Sequence, residues 1–440
     1  MRHSPLNLNL GSMKKHFIII WALGVSIFSF SCKRGMTDEY VRCADDAVLS
    51  TTIPLSDALN SLDDMIRQID ATTKAGYHCS YNPDDIVSVG VSSFTATKVA
   101  GLDFDIPKTL FYLVNFDNTD GFAVLAADTR LGESVYCLTE DGSIDADAFV
   151  RAFDYLHTSA SHTKTEEPAE DIERFSDIGR DFVPTLLLSS MLADLKYGKI
   201  VEETKSTPVA TYNNALLETK WNQGDPFNMY LPIIDGNHCA AGCVAIACAQ
   251  IMQYCQKPIN PVFDGVSCSW NDMGTVKSIY DLSGSSASIS AKQQCGHFLK
   301  HIGQPSLIYI RYNQGSYGFA DGVVRTLKYY GYTNVKKRLG FGSTNQGRAS
   351  QQLSNNLPVY LDGADSHKVS GHAWVIDGEW NNYFHCNWGW NGIWDGYYAK
   401  HNYFPISSRA YIDSTDPDFS SSSFENNNYD WDFRMVTYSL

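Results

Sequence analysis

The chain has 440 residues, of which 44% are hydrophobic and 19% are charged, and this composition excludes a largely disordered chain. Its length allows two or three domains that each bury a core. Acidic residues outnumber basic ones by 49 to 34, and because no Lys/Arg-rich block offsets the net charge of −15, we predict no nucleic-acid partner.

Residues 1–32 have the pattern of a signal peptide of the lipoprotein type. Basic residues precede an apolar run, Phe17–Phe30, that is short for a membrane-spanning helix. The run ends at Cys32 in a sequence that resembles a bacterial lipobox, so Cys32 is predicted to be lipidated and to become the mature N-terminus. An ordinary cleaved signal peptide is the alternative, and Met13 is an alternative start of translation. Both interpretations predict export, as an outer-membrane or cell-surface lipoprotein or as a secreted protein, with membrane contact only through a lipid at Cys32.

Residues 33–205 have the pattern of a small α+β unit. Apolar residues at steps of three and four predict a helix from Leu55 to Ile69. Two apolar runs flank a turn rich in Asp, Asn and Gly, so Leu110–Ala127 is predicted to be a β-hairpin. A helix over Phe149–His157 is predicted to close the unit. The predicted strands are Ile86–Val91, Leu110–Phe116, Phe122–Ala127 and Ser134–Leu138.

Residues 206–440 form a second predicted domain, and the boundary before it lies within the polar connector Ile200–Tyr212. Cys243–Tyr254 is the clearest helix of the chain, with Gly242 before it and a proline after it. From Pro358 onward the pattern changes to short apolar strands separated by glycine turns. An early helix followed by a late sheet predicts an α+β fold.

Cys243 stands at the start of this helix. The unpaired N–H groups and the positive end of the helix dipole favour a thiolate there, and a thiolate is a competent nucleophile when a base partners it. The alternative is a small buried helix residue, which is our interpretation of Cys248 and Cys255. None of the 11 cysteines forms a C-x-x-C pair, so we predict no metal site, and the chemistry requires no cofactor.

Four further residues fit a nucleophilic site. His372 follows a glycine at the head of an apolar strand, as suits a general base that faces a cleft. Asn387 offers an amide oxygen that can fix one imidazole tautomer, and Trp388 can keep water from that bond. Gln223 can donate to an oxyanion together with the Cys243 N–H. Each residue alone has a structural interpretation, as a surface histidine, a polar turn residue or a core aromatic, but their order is far more specific.

The stretches that carry these residues resemble the streptopain-type cysteine peptidases, a secreted bacterial branch of the papain-like fold. The resemblance implies that Cys243 is the nucleophile, His372 the base and Gln223 an oxyanion-hole residue, with Asn387 and Trp388 supporting the histidine. It also implies a papain-like α+β domain whose helical part carries the cysteine and whose antiparallel sheet carries the histidine. The matching stretches are WNQGDPFNMYLP, GCVAIACAQIMQY, LPVYLDG, GHAWVIDG and YFHCNWGWNGIWDGYY, within residues 221–398.

Residues 33 to about 205 resemble the pro-domain of the same family, most clearly in GFAVLAADTRLGESVYCL and DGSIDADAF. The resemblance implies a zymogen that removes this segment by autoproteolysis, with the pro-domain as an intramolecular inhibitor. We expect the pro-domain to block the cleft through the Leu110–Ala127 hairpin rather than to displace His372. The substrates are then proteins or peptides, and the Tyr312–Gly318 loop either lines the cleft or turns a corner.

Other functions use some of the same residues. A thiol acyltransferase or transglutaminase has a similar Cys–His pair but passes the acyl group to an amine, and it does not explain the pro-domain. A non-catalytic surface binding protein of this fold would not need every catalytic position filled. A Cys/His metal-binding protein lacks support because paired-cysteine spacing is absent.

Overall fold

A computed structural model describes residues 51–72, 79–90, 106–159, 175–197, 212–213, 215–277, 286–312, 316–364, 371–400 and 433–440. All of them belong to one compact unit, Ser50–Leu440. The predicted signal peptide with Cys32, most of the Ile200–Tyr212 connector and the predicted boundary at residue 205 lie outside the described residues.

Eight α-helices lie in the described part of the chain. Two predicted helices, at Leu55–Ile69 and Phe149–His157, are confirmed and extend by several residues. None of the described helices is long and apolar enough to cross a bilayer. The helices are α1 Leu55–Thr72, α2 Ala146–Ser159, α3 Phe175–Tyr197, α4 Cys243–Cys255, α5 Trp270–Thr275, α6 Ser286–Ile302, α7 Ala320–Tyr329 and α8 Ser343–Ser354.

Most described strands join a single antiparallel sheet of 11 strands, in the order β1-β2-β3-β4-β16-β15-β14-β13-β17-β12, with β5 paired to β14. The predicted Leu110–Ala127 hairpin is confirmed as the pair β2 and β3. The strands are β1 Val87–Val89, β2 Phe111–Asn115, β3 Phe122–Ala126, β4 Val135–Thr139, β5 Tyr212–Asn213, β6 Ile233–Ile234, β7 Asn237–His238, β8 Val262–Phe263, β9 Val266–Ser267, β10 Arg311–Tyr312, β11 Ser316–Tyr317, β12 Thr333–Leu339, β13 Val359–Ala364, β14 Gly371–Trp380, β15 Tyr383–Asn387, β16 Gly396–Ala399 and β17 Arg434–Ser439.

The sheet is continuous between the two predicted domains. Strand β4, which precedes residue 205, pairs with β16, and Leu138 lies opposite Tyr397. A charged group bridges this junction: the His385 imidazole bonds Asp377 at 2.7 Å and Glu140 at 3.1 Å. The two carboxylates outweigh the desolvation of the ring and raise the pKa of His385 well above its usual value, so His385 is charged.

Helix α4 is largely apolar, as suits a helix that is covered on both faces. All residues from Val244 to Met252 are buried. Ala373 and Val375 of β14 share a core cluster with α4, while Trp374 and Ile376 belong to the cluster that includes α2, α3 and α8. The α+β architecture is confirmed, with a helical part that carries Cys243 and an antiparallel sheet that carries His372.

Sequence patterning left residues 259–357 unassigned, although they hold four helices. Helix α5 has six residues and depends on Ser269, which accepts the Asp272 N–H at its N-terminus. In α8 only Ala349, Gln352 and Leu353 are buried, so its apolar stripe is narrow. Such helices are stabilised by tertiary packing more than by propensity, and their periodicity is correspondingly weak.

Gly121 closes the β2–β3 turn at a φ of +107°, and a Cβ at this position would lie 2.2 Å from the Thr139 carbonyl oxygen. We expect Gly121→Ala to lower the free energy of unfolding by about 3 kcal/mol, because the left-handed conformation and the backbone overlap both oppose a side chain. The measurement is the guanidinium unfolding midpoint. Gly265→Ala is the matched control, since Gly265 also has a positive φ, +78°, but nothing lies within 4 Å of its added Cβ. Equal losses in the two variants would contradict the predicted overlap.

Candidate active site

Cys243 is the first residue of α4 and is half-buried. Gly242 before it has a φ of 87°, which a side chain rarely adopts, and an added Cβ would lie 3.1 Å from the Ser316 carbonyl oxygen. The glycine therefore lets β11 approach the nucleophile. Residues 313–315 of the predicted cleft loop lie outside the described residues, but Ser316 places the following strand beside Cys243.

His372 lies on β14, opposite Gly363 of β13, and only 3% of it is exposed. The α4 helix packs against the same strand, and the Cys243 thiol interacts with the backbone N–H of Ala373, the neighbour of His372. Packing thus brings the predicted nucleophile and base to one end of β14. Within the described residues, no hydrogen bond joins the thiol to the imidazole.

The His372 ring is oriented by a backbone carbonyl. Its Nε2 lies 2.7 Å from the Trp388 carbonyl oxygen, and since a carbonyl only accepts, Nε2 carries the proton. The sequence predicted that the Asn387 amide would fix the tautomer, but this amide binds elsewhere. Its Nδ2 donates to the Thr219 carbonyl oxygen at 2.8 Å, and its Oδ1 accepts from Gln250 at 2.9 Å. Trp388 lies beside His372 and its carbonyl makes the direct contact, whereas Asn387 lies opposite Val375 on the neighbouring strand.

Aromatic rings enclose the imidazole. The Trp390 ring centroid lies 4.2 Å from that of His372, and Trp374 is nearly parallel to the imidazole at 6.4 Å. Phe182, from helix α3, meets His372 edge-on at 5.6 Å and also contacts Trp374 and Trp388. Phe182 belongs to the predicted pro-domain, so that segment covers the candidate base directly.

Gln223 is buried in the loop that precedes α4. The backbone carbonyl oxygen of Gln223 accepts the Ala241 N–H at 2.8 Å, and this bond fixes the loop to the residues directly before Cys243. The structure thus brings the predicted oxyanion residue near the N-terminus of the nucleophile helix. The five predicted site residues come from four elements: the loop before α4, α4 itself, β14 and the end of β15.

Burial keeps both reactive groups neutral in this structure. Desolvation raises the pKa of the Cys243 thiol to about 11, although hydrogen bonds to Ala373 and to backbone groups of the helix act in the opposite direction. Desolvation also lowers the pKa of His372 to about 4. The helix dipole by itself favours a thiolate at Cys243. In this enclosed state, however, the cost of burying a charge outweighs the effect of the dipole.

Two residues near the site were not identified from the sequence. Gln250 is the one amide in the buried stretch of α4, and a buried amide requires hydrogen-bond partners, so the sequence did contain a signal for it. Phe182 stood in an apolar run that nothing marked as a neighbour of His372. Among the described residues, no group of three or more His, Cys, Asp or Glu side chains is placed to bind a metal ion.

Comparisons with known proteins show what the chain is similar to. Residues 221–398 match the model of the Peptidase C10 family. Streptopain of Streptococcus pyogenes serotype M1 is 27% identical over 326 residues, which cover 65% of this chain and 73% of that protein. The thiol protease/hemagglutinin PrtT of Porphyromonas gingivalis is 27% identical over 317 residues, which cover 66% of this chain and 33% of that protein. A solved fragment of Prevotella intermedia prointerpain A is 20% identical with a TM-score of 0.47, covering 74% of this chain and 95% of the fragment.

The cysteine at a helix N-terminus, the histidine on the adjacent strand and the family match together define a cysteine peptidase. Within this class, residues 221–398 are similar to the streptopain-type peptidases, the family that the sequence motifs resemble.

In the unprocessed chain, we expect iodoacetamide to modify Cys243 slowly at pH 7 and about tenfold faster for each pH unit up to pH 10. A pKa of about 11 leaves roughly one thiol in 10⁴ ionised at pH 7, and the thiolate is the reactive form. Peptide mapping by mass spectrometry gives the rate at Cys243, and intact mass confirms that no cleavage has occurred. The control is the rate of modification at Cys243 in the same chain unfolded with guanidinium. A fast, pH-independent rate between pH 6 and 9 would instead reveal a preformed thiolate–imidazolium pair.

Proposed function

We propose that this chain is the exported zymogen of a cysteine endopeptidase that hydrolyses peptide bonds through an acyl-enzyme at Cys243. The observation that carries the proposal is the position of Cys243 at the N-terminus of α4, a helix that packs in one core cluster with Ala373, the residue after His372. A nucleophile and a base on two packed elements are the arrangement that acyl transfer requires.

In the proposed reaction, the unprotonated Nδ1 of His372 accepts the thiol proton, and the Cys243 sulfur attacks the substrate carbonyl carbon. The negative charge that develops on the carbonyl oxygen is stabilised by the Gln223 amide and the Cys243 N–H. The imidazolium then protonates the leaving amine, and the C–N bond breaks to give a thioester. Water, deprotonated by His372, attacks the thioester and releases the acid and the thiol.

The Trp388 carbonyl supports this cycle because it keeps the proton of neutral His372 on Nε2 and so leaves Nδ1 free to act as the base. Asn387 assists through the neighbouring peptide group, since its Oδ1 also accepts the Gly389 N–H at 3.2 Å. The surrounding tryptophan rings limit the access of water to the bond between His372 and Trp388.

Helix α3 is the proposed inhibitory element. Phe182 is buried against His372, and the enclosed thiol and imidazole are both uncharged at neutral pH. Removal of α3 would return water to the site, which lowers the cost of forming the thiolate and the imidazolium. The Leu110–Ala127 hairpin was expected to block the cleft, but it lies within the sheet between β1 and β4, and the contact with His372 comes from α3.

We place the maturation cleavage in residues 198–211, which join α3 to β5 and include the boundary predicted at residue 205. Export rests on the signal pattern of residues 1–32, and a lipid at Cys32 would retain the protein at the outer membrane or cell surface. The substrates are proteins or peptides, in keeping with the family match. That match is to peptidases, so hydrolysis is favoured over acyl transfer to an amine.

Cys243→Ala is expected to abolish both peptide hydrolysis and self-cleavage, because it removes the sulfur on which the proposed thioester forms. The purified full-length chain is followed by gel and mass spectrometry under reducing conditions, with an epoxysuccinyl thiol inhibitor in a parallel sample. Cys255→Ala is the matched control, since Cys255 is half-buried at the opposite end of the same helix and should leave activity unchanged. Activity that survives in Cys243→Ala would refute the assignment of the nucleophile.

Phe182→Ala is expected to accelerate self-cleavage severalfold, because it removes the ring that covers His372 and admits water to the imidazole. The measurement is the half-time for loss of the full-length band at fixed protein concentration. Leu187→Ala is the control, since Leu187 is equally buried in α3 and tests general loosening of the helix. Equal acceleration in both variants would show that the Phe182 ring has no specific role.

A further inference from the structure

Gln250 lies two turns after Cys243 on α4 and is fully buried. Burying an amide is costly unless its oxygen and nitrogen are both paired, and the helix around Gln250 is otherwise apolar. The partners of its side chain, Thr219, Trp221 and Asn387, lie outside α4 on segments that carry predicted site residues. Simple core packing at this position would be served as well by a leucine.

The side-chain oxygen of Gln250 binds the segment before Gln223. It accepts the Trp221 backbone N–H at 3.2 Å and the Thr219 hydroxyl at 3.0 Å. Because Trp221 precedes Gln223 by two residues, the helix that carries the nucleophile also anchors the start of the oxyanion loop.

The side-chain nitrogen of Gln250 binds the segment that orients the base. Nε2 donates to Asn387 Oδ1 at 2.9 Å, and this oxygen also accepts the Gly389 N–H at 3.2 Å. The Gly389 N–H and the Trp388 carbonyl belong to one peptide group, and that carbonyl accepts from His372 Nε2 at 2.7 Å. Three hydrogen bonds therefore connect α4 to the imidazole, and each restricts the orientation of the next group.

We propose that Gln250 is a positioning residue of the peptidase, which holds the Trp388–Gly389 peptide group in the orientation that keeps the His372 proton on Nε2. It touches neither substrate nor reacting atoms and acts through Asn387. The inference deepens the proposed function, because it rests on His372 as the base. Its loss would misplace the base and leave the substrate cleft intact, so turnover should fall more than substrate binding.

The test uses full-length chains that are processed by affinity-tagged wild-type enzyme, which is then removed. With a peptide substrate, Gln250→Leu is expected to lower kcat about 10- to 100-fold and to change KM by less than about threefold. Gln253→Leu is the matched control, since Gln253 is one turn further along α4 and bonds the Trp270 carbonyl oxygen, away from the site. The control should keep the wild-type kcat. Equal losses in the two variants would overturn the proposal.

Gln250→Glu provides a readout that a purely structural role would not produce. A protonated carboxyl can donate to Asn387 Oδ1, whereas a carboxylate cannot, and the residues that hydrogen-bond Gln250 are uncharged. We expect the ratio of variant to wild-type kcat to be near one at pH 5 and to fall as pH rises and the introduced carboxyl ionises. A ratio of kcat values that does not change between pH 5 and 9 would contradict the proposal. This test uses only Gln250→Glu, so it applies even if Gln250→Leu fails to fold.

A third measurement separates this inference from the proposed function. In full-length Cys243→Ala protein with ¹⁵N-labelled histidine, NMR reports the tautomer of His372, assigned by comparison with His372→Ala. Gln250→Leu should reduce the Nε2–H form, whereas Gln253→Leu should not. An unchanged tautomer would overturn the role of Gln250, and an inactive wild-type enzyme with a shifted tautomer would count against the proposed function alone.

Discussion

The site depends on the burial of one apolar helix against the central sheet. Helix α4 is covered on every side, with β14 on one face and α6 and α7 among its other neighbours. This packing brings Cys243, at the helix N-terminus, to the end of β14 that carries His372. A helix clamped in this way cannot slide or rotate without breaking core contacts, so the nucleophile and the base have a fixed spacing.

In the proposed zymogen, burial of the site is also what would keep the folded peptidase inactive. An ion pair between Cys243 and His372 is stable only if the charged forms are solvated or otherwise stabilised, and enclosure of both groups favours the neutral forms. A segment that covers the histidine can thus suppress the nucleophile without contacting the sulfur. Phe182 covers the histidine in this way, and its apolar ring offers the imidazolium no hydrogen bond.

Charged and polar groups hold the surrounding scaffold in register. His385 lies between two carboxylates and joins β15 to β14 and to the residue that follows β4. Such a buried ion pair adds little net stability but is costly to break by removing one partner, and it therefore favours one alignment of the strands. Gln250 has a similar role with uncharged bonds, because its two amide atoms satisfy partners on two different segments. The segments that carry predicted site residues are therefore held by hydrogen bonds within the core.

The sequence by itself determined much of this protein. It located the α4 helix, the Leu110–Ala127 hairpin and the late strands from periodicity, and the order of motifs predicted a cysteine peptidase. Only the tertiary structure decided which groups touch. His372 donates to the Trp388 carbonyl, and the Gln250 amide nitrogen donates to the amide oxygen of Asn387. Phe182 of α3 supplies the ring over the histidine. Local patterns report which face of an element is buried, whereas these contacts join segments far apart in the chain. Such contacts form only when the core is packed. The same packing desolvates Cys243 and so favours the thiol over the expected thiolate.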